Sequence, residues 1–299
     1  MKYIAILLTV FNRKHETLLC LANLYKQRLP DKVCIKVYLT DDGCTDGTSE
    51  AICQTYPDVH IIKGNGTLYW NRGMYKAWET ASNERQYDYY IWLNDDTFTY
   101  PETISTLLTT SQKKEDKAII VGPTTNAQHT QPTYGGRLNN GEIPIPNGTL
   151  IPVTHFNGNI VLIPRSVYQI LGNLDYYFTH SKGDFDYGLR AHQQGINIFQ
   201  VGSYLGECEL HHTLDKWCNP SIPLIQRLKI LHRPNGMPPK ESFHLEYRHY
   251  GLRMAIFHFI TIYLRCLFPI FWVKYNMCIY NRLLLNNLKV ISQKYGHNI

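Results

Sequence analysis

Two adjacent carboxylates, Asp95 and Asp96, follow the apolar run Tyr89-Tyr90-Ile91-Trp92-Leu93 after a single polar residue, Asn94. Such a run reads as a buried strand, and the turn beyond the carboxyl end of a strand is where α/β sheets bind ligands. Neighbouring carboxylates repel each other unless a proton or a cation sits between them. Hard oxygen donors at that place suit Mg2+ or Mn2+ bridging a diphosphate. The pair also reads as a solvated turn or a helix cap, so its meaning depends on what else reaches that end of the sheet.

Two further strand candidates reach it. Residues 3–10 end at Phe11-Asn12-Arg13, and residues 33–40 end at Asp41-Asp42-Gly43. Between them, residues 16–27 carry Leu18, Leu19, Leu21, Ala22, Leu24 and Tyr25, a broad apolar helical face. Strand, helix, strand with a right-handed parallel crossover is the economical reading. Farther on, the pattern predicts helices over 101–111, 165–171 and 184–194, the last two ended by Gly172 and Gly195. Strands are expected at 118–122, 160–163 and 196–204. The loop-rich stretch 123–152, with Gly135-Gly136 and Asn140-Gly141, predicts hairpins.

Taken in order, these motifs resemble the family 2 glycosyltransferases, whose fold is GT-A. Thr9-Val10-Phe11-Asn12-Arg13 resembles their opening nucleotide-contacting turn, and Asp41-Asp42-Gly43-Cys44-Thr45-Asp46-Gly47-Thr48 their Asp-Asp-Gly-Ser-x-Asp-Gly-Thr segment. Asn94-Asp95-Asp96 resembles the metal-binding Asp-x-Asp. His155-Phe156-Asn157-Gly158-Asn159 is similar to the acceptor-side loop, and Gly183-Asp184-Phe185-Asp186-Tyr187-Gly188-Leu189-Arg190 to the base-bearing Glu-Asp-x-Asp-Leu-x-x-Arg motif. His211-His212 resembles the late histidine that closes the metal site. The resemblance spans residues 3–216, and the ordered set is more specific than any one motif.

The resemblance implies an α/β GT-A-like, Rossmann-type mixed sheet flanked by helices, working as an inverting transferase on a nucleotide-sugar donor. Thr9, Phe11, Arg13, Asp42, Gly64, Trp70 and Asp95 would face the donor, with Asp42 accepting from the pyrimidine ring. Asp96 and His211, or His212 beside it, would ligate Mn2+ or Mg2+. Asp184 would be the general base, and a helix amino terminus is expected to keep it ionised by lowering its pKa. Asn157, Gly158 and Asp186 would meet the acceptor, with bracing of Arg190 as a second role for Asp186. Plainer readings stand beside these: Asp41–Asp46 as a capped helix start, and the Gly64–Trp70 segment as a structural turn. Asn94 and Gly183 stand where many relatives carry acids. Trp70, the 155–159 loop and the late histidines are most similar to rhamnosyltransferase-type members, which implies a dTDP- or UDP-linked donor. The acceptor would be a lipid-linked or polysaccharide glycan, as in O-antigen or capsule assembly. A sugar nucleotidyltransferase and a non-catalytic glycan- or lipid-binding adaptor are the alternatives.

Composition bounds the rest. Of 299 residues, 44% are hydrophobic and 18% charged, which excludes a disordered chain. The 30 Lys and Arg against 24 Asp and Glu are unevenly spread, because residues 224–299 hold 11 of the former and 2 of the latter. That basic stretch is interleaved with Phe, Ile, Leu and Trp, a pattern that favours an anionic membrane surface over nucleic acid. Residues 254–273 are long enough to span a bilayer, but His258, Arg265 and Pro269 lie inside them. Helices lying in the interface are therefore expected, with a soluble helical pack as the alternative. Eight cysteines without a Cys-x-x-Cys argue for reduced thiols, and Cys208, His211, His212 and Cys218 match no standard zinc finger. With the chain starting directly on a core strand, the expected location is cytoplasmic, peripheral at the inner face of the plasma membrane. The expected domains are 1–220, divided into a nucleotide-sugar half (1–122) and an acceptor half (123–220), and a helical region 221–299.

Overall fold

The computed structural model describes residues 1–210 and 215–272. The chain forms two compact units, Met1–His211 and His212–Ile299. In the first, β1 (Lys2–Val10), α1 (Lys14–Tyr25), β2 (Val33–Asp41), α2 (Thr48–Thr55), β3 (His60–Lys63), α3 (Tyr69–Glu84) and β4 (Tyr89–Leu93) alternate strand and helix. They are followed by β5 (Phe98–Thr99), α4 (Thr103–Lys113), β6 (Ile119–Val121), β7 (Thr124–Thr125), β8 (Gly136–Arg137), β9 (Ile151–Pro152) and β10 (His155–Phe156). The unit ends with β11 (Ile160–Pro164), α5 (Arg165–Leu171), α6 (Gly183–Gln193), β12 (Ile198–Gln200) and β13 (Gly206–Glu207).

Eight strands make one mixed sheet in the order β3-β2-β1-β4-β11-β6-β12-β9. Strand β1 is apolar along its length because helices cover both of its faces. Ile4, Ile6, Leu8 and Val10 enter the layer that holds Cys20, Leu21, Ile52 and Leu107. Ala5 and Leu7 enter the layer that holds Met74, Trp78, Val167 and Tyr187, as alternation along a strand requires. Much of the tyrosine content is structural, with Tyr38, Tyr87, Tyr89, Tyr90 and Tyr187 at most 2% exposed.

Register puts the motifs together. In the parallel pairs, Val10 lies beside Asp41 and Asp41 beside Lys63, so the turns after β1, β2 and β3 adjoin. Leu7 lies beside Trp92, so Asn94 to Asp96 leave β4 beside the end of β1, within reach of the Arg13 side chain. Strand β11 runs antiparallel to β4 with Ile160 opposite Leu93. It therefore starts where β4 stops, and the amide of Asn94 donates to the carbonyl of Asn159 at 3.2 Å.

Some boundaries differ from the sequence expectation. The strand expected over 196–204 is only Ile198–Gln200, because Gly202 packs backbone to backbone on Thr149, where a Cβ would lie 2.4 Å from its amide nitrogen. The 123–152 stretch forms one return, with Thr124 bonded to Tyr134, but β8 and β9 pair with distant β10 and β12. The Asn139–Gly141 segment is a tight turn closed by the Leu138 amide donating to the Glu142 carbonyl at 2.9 Å.

The second unit holds α7 (Leu224–Leu231), α8 (Pro239–Tyr250) and α9 (Leu252–Leu267) around Trp217, Cys218, Leu231, Ile262 and Cys266. Helix α7 lies in the region expected to be helical, with Pro223 at its cap. Buried Arg227 donates to the carbonyls of Cys266 and Ile222, both at 2.9 Å, so one of the counted basic residues closes the end of α9. Among the described residues, no helix is long and apolar enough to cross a membrane.

Candidate active site

Carboxylates come from the ends of two parallel strands, β2 and β4, and are used differently. Asp41 is a structural post: it accepts from the Cys44 amide at 2.7 Å and Lys63 Nζ at 2.8 Å, and from the Ser49 hydroxyl. Burial alone would raise its pKa, but these donors outweigh burial and hold it at about 2. Asp42 organises the next loop, one oxygen accepting from the Gly66 amide at 2.9 Å and the other from the Tyr69 amide at 2.8 Å. Gly64 is required there, since a Cβ would stand 2.7 Å from Asp42 Oδ1. The Gly64–Trp70 segment is thus a structural turn in its backbone, whatever its surface contacts.

Asp95 and Asp96 lie together, bridged by one nitrogen of Arg13: Nη1 is 3.2 Å from Asp95 Oδ1 and 2.6 Å from Asp96 Oδ2. Asp95 is 7% exposed. Its pKa is pushed up to about 7 by burial, with Arg13 opposing and Asp96 reinforcing. Its Oδ2 is buried without a hydrogen-bond partner. A buried carboxylate oxygen left unpaired beside a second carboxylate fits a divalent cation, whose charge would offset the repulsion and the burial. Among the described residues, no group of three or more His, Cys, Asp or Glu side chains is arranged to hold a metal. His211 and His212, the expected further ligands, lie outside the described residues.

Asn94 is tied up as a hydrogen-bonding group: its Oδ1 accepts from Trp70 Nε1 at 2.7 Å. Trp70 packs edge-on to Trp92 at 6.0 Å between ring centroids. It also lies flat against Gly158, where a Cβ would come within 2.5 Å of the indole. The Gly158 amide in turn donates to Asp184 Oδ2 at 3.1 Å, while the Phe185 amide donates to Oδ1 at 2.9 Å. A short path of contacts therefore joins the two acidic centres, from Asp95 through Asn94, Trp70 and Gly158 to Asp184.

The pKa expected for Asp184 is corrected by this geometry. It sits in the first turn of α6 with two amide donors, yet burial outweighs them, and Arg137 as well, and raises it to about 6. A helix terminus lowers a carboxylate pKa by a fraction of what enclosure adds. Asp186 takes the bracing role: it is fully buried and accepts from Arg190 Nε at 2.9 Å, and Arg190 also donates to the carbonyls of Leu171 and Asn173.

Gly183 has a steric reason. A Cβ there would lie 1.7 Å from Asn71 Oδ1, and the Asn71 carboxamide is pinned by donation to the Asp175 and Phe178 carbonyls at 2.8 and 2.7 Å. Gly183→Glu, which places there the acid of the motif this segment resembles, is therefore expected to lower stability by about 1–3 kcal/mol. Asn71→Ala in the same chain should return most of that loss; denaturant unfolding of the three variants checks it.

The remaining predicted positions group as follows. Thr9 is buried and touches α3 at Gly73, where a Cβ would meet Thr9 Oγ1 at 2.1 Å. Phe11 is 52% exposed at the mouth of the β1 turn. Asn157 accepts from Arg137 Nε at 3.0 Å. Sequence reasoning missed Arg137, Tyr134 and His180, and weighed Cys208 only as part of a zinc-type cluster. Arg137 stands near Asp184 and over the Phe185 ring at 5.5 Å. Half-buried Tyr134, its pKa raised to about 12 by burial, neighbours Cys208, Asp96 and Arg13. Cys208 Sγ is 3.7 Å from Asp96 Oδ1. The only signal available for Tyr134 and Arg137 was the intervening Gly135-Gly136, which permits close packing.

A family model described as glycosyl transferase family 2 matches residues 5–171. A search of curated proteins finds no match. Among solved structures, the chain is similar to residues 1–349 of TarS from S. aureus, at 12% identity and a TM-score of 0.53, over 89% of this chain and 71% of that one. A longer TarS structure matches at 12% and 0.52 over 88% of this chain and 49% of that one, so the chain spans about half its length. The mannosyltransferase PcManGT from Pyrobaculum calidifontis, solved in complex with GDP-Man and Mn2+, matches at 16% and 0.52, over 87% and 73%. At such identities the likeness speaks for the fold, a mixed α/β sheet of GT-A type flanked by helices.

Proposed function

The chain belongs to glycosyl transferase family 2, and we propose that it is an inverting transferase moving a sugar from a nucleoside-diphosphate donor to a hydroxyl of a lipid-linked or polysaccharide glycan. The observation that carries this reading is the joining of Asp184 to the Asp95–Asp96 pair through Gly158, Trp70 and Asn94. Two acidic centres at a short remove suit one reaction in which a base and a leaving group face opposite sides of a sugar carbon.

In that reaction the acceptor hydroxyl oxygen forms the new bond to the anomeric carbon. The bond from that carbon to the diphosphate oxygen breaks, its electron pair leaving with the diphosphate, and the hydroxyl proton passes to Asp184. With pKa about 6, Asp184 is ionised at neutral pH yet more basic than an ordinary aspartate, which favours proton transfer. One base and no covalent nucleophile give inversion. Asp96 would hold Mn2+ or Mg2+, with His211 the expected partner ligand and Asp95 facing the donor. The ion, when bound, supplies Lewis-acid stabilisation of the departing diphosphate. Arg13, at the carboxylates, would meet the same phosphates. Thr9, Phe11, Asp42, Gly64 and Trp70 would line the donor side, and Asn157 and Gly158 the acceptor side. A dTDP- or UDP-linked sugar, rhamnose or a hexose, rests on motif likeness. Residues 221–299 would bring the enzyme to the inner face of the plasma membrane, where such acceptors reside.

A panel of nucleotide sugars incubated with Mn2+ or Mg2+ tests the reading. Release of nucleoside diphosphate that stops on chelation is the expected result, with NMR of the product showing the inverted anomer. Formation of inorganic diphosphate from a nucleoside triphosphate and a sugar phosphate would instead identify a nucleotidyltransferase.

A further inference from the structure

Helix α9 carries two apolar faces. One, with Ala255, Ile262 and Cys266, is buried in the core of the C-terminal unit. The other, with Ile256, Phe257, Ile260, Leu264 and Leu267, recurs at three- and four-residue steps and stands 39–57% exposed. Phe268, Ile270 and Phe271 continue it past the helix end at 55–75% exposure. Single exposed apolar residues are ordinary on a protein surface, whereas an aligned stripe of this length marks an interaction site.

Length and charge identify the occupant. The helix has 16 residues, about 24 Å at 1.5 Å per residue, against a hydrocarbon core of about 30 Å. It is suited to lying along a bilayer, not through one. Arg253 stands in the first turn of the exposed face, and Glu246, one of only two acids in residues 224–299, is taken by His258 at 2.8 Å. Residues 273–299 add four Lys or Arg and no acid. A second copy docked through this face would oppose like charges, whereas anionic headgroups answer the basic residues while acyl chains receive the stripe.

We infer that the Ile256–Leu267 face of α9 inserts into the interface of an anionic lipid bilayer, parallel to its plane. The inference deepens the membrane-borne acceptor reading and rests on it for its purpose. Vesicle binding is measured without turnover, so the two stand or fall separately. The full-length protein is sedimented with vesicles of phosphatidylcholine alone or with about one-third phosphatidylglycerol, at low and high salt. Expected is binding about tenfold stronger to the anionic vesicles, weakened by salt, and lost by about tenfold or more in Ile260→Glu with Leu264→Glu. The double variant should keep its melting temperature and its size on gel filtration. Failure to sediment with either vesicle, or equal binding by the variant, overturns the inference. So does a wild-type dimer that the variant splits, or a lower melting temperature in the variant, because either assigns the face to protein contacts.

Discussion

Asp184→Asn should lower turnover by about 10²–10⁴-fold, the range contributed by a positioned general base, while making the folded protein more stable at neutral pH. The two effects have one origin. In the folded chain the Asp184 pKa stands at about 6, against 3.8 for an ordinary aspartate. Between those values the folded state binds more protons than the unfolded state, so stability falls as pH rises through this window. Above about pH 6 the full cost of keeping an enclosed charge is present, up to about 3 kcal/mol. Below about pH 4 it is absent. Asparagine removes that cost and gives back part of the gain, because one side-chain face becomes a donor opposite the Gly158 or Phe185 amide. The stability advantage of the variant should therefore be on the order of 1–2 kcal/mol at pH 7.5 and should vanish toward pH 4. Denaturant unfolding at both pH values reads this directly. In the wild type, kcat/KM should fall about tenfold per pH unit below about 6. A variant that loses stability at pH 7.5 while keeping its turnover would remove Asp184 from the reaction.

Asp96→Asn should cost about 10²–10³-fold in turnover and abolish the response to divalent cations, by the magnitude expected of a lost electrostatic clamp on the leaving group. The substitution keeps the size of a side chain that is 25% exposed, and Arg13 retains Asp95 at 3.2 Å. Folding should be unaffected. Thermal unfolding with and without Mn2+ separates binding from chemistry: the wild type should melt higher with the ion, the variant at the same temperature in both. A variant that still gains stability from Mn2+ would place the ligand elsewhere.

The sequence made the parallel half of the fold legible because β4 and most of β1 are buried on both faces and read as apolar runs, while β2 is buried over its second half. Tyr89–Leu93 agrees at both ends, and β2 extends by one residue to Asp41. The antiparallel return of β11 and its pairing with Leu93 were not legible, since strand direction is set by tertiary contacts and leaves no mark in a five-residue run. At the site, the family motifs marked Asp95, Asp96 and Asp184, but the pKa of Asp184 was misjudged because local sequence shows the helix start and not the protein that encloses it. Arg137 and Tyr134 reach the site from a segment that matches no motif, and the contact of Cys208 with Asp96 is likewise revealed only by packing. The opposite held for Gly183: its departure from the family pattern was visible, and its cause, the pinned carboxamide of Asn71, lies more than one hundred positions away.

The backbone pairing of β4 with β11, continued by Asn94 and Asn159, has a mechanical result. The strands that carry the Asp95–Asp96 turn and the Asn157–Asn159 loop are joined as pleated sheet, paired residue by residue from Pro164 to Ile160, so the two sides of the candidate site are held by one continuous sheet. In the proposed transferase the room between the two acidic centres would then be set by side chains such as Trp70, so a bulkier sugar would call for a smaller residue there instead of a shift of the sheet.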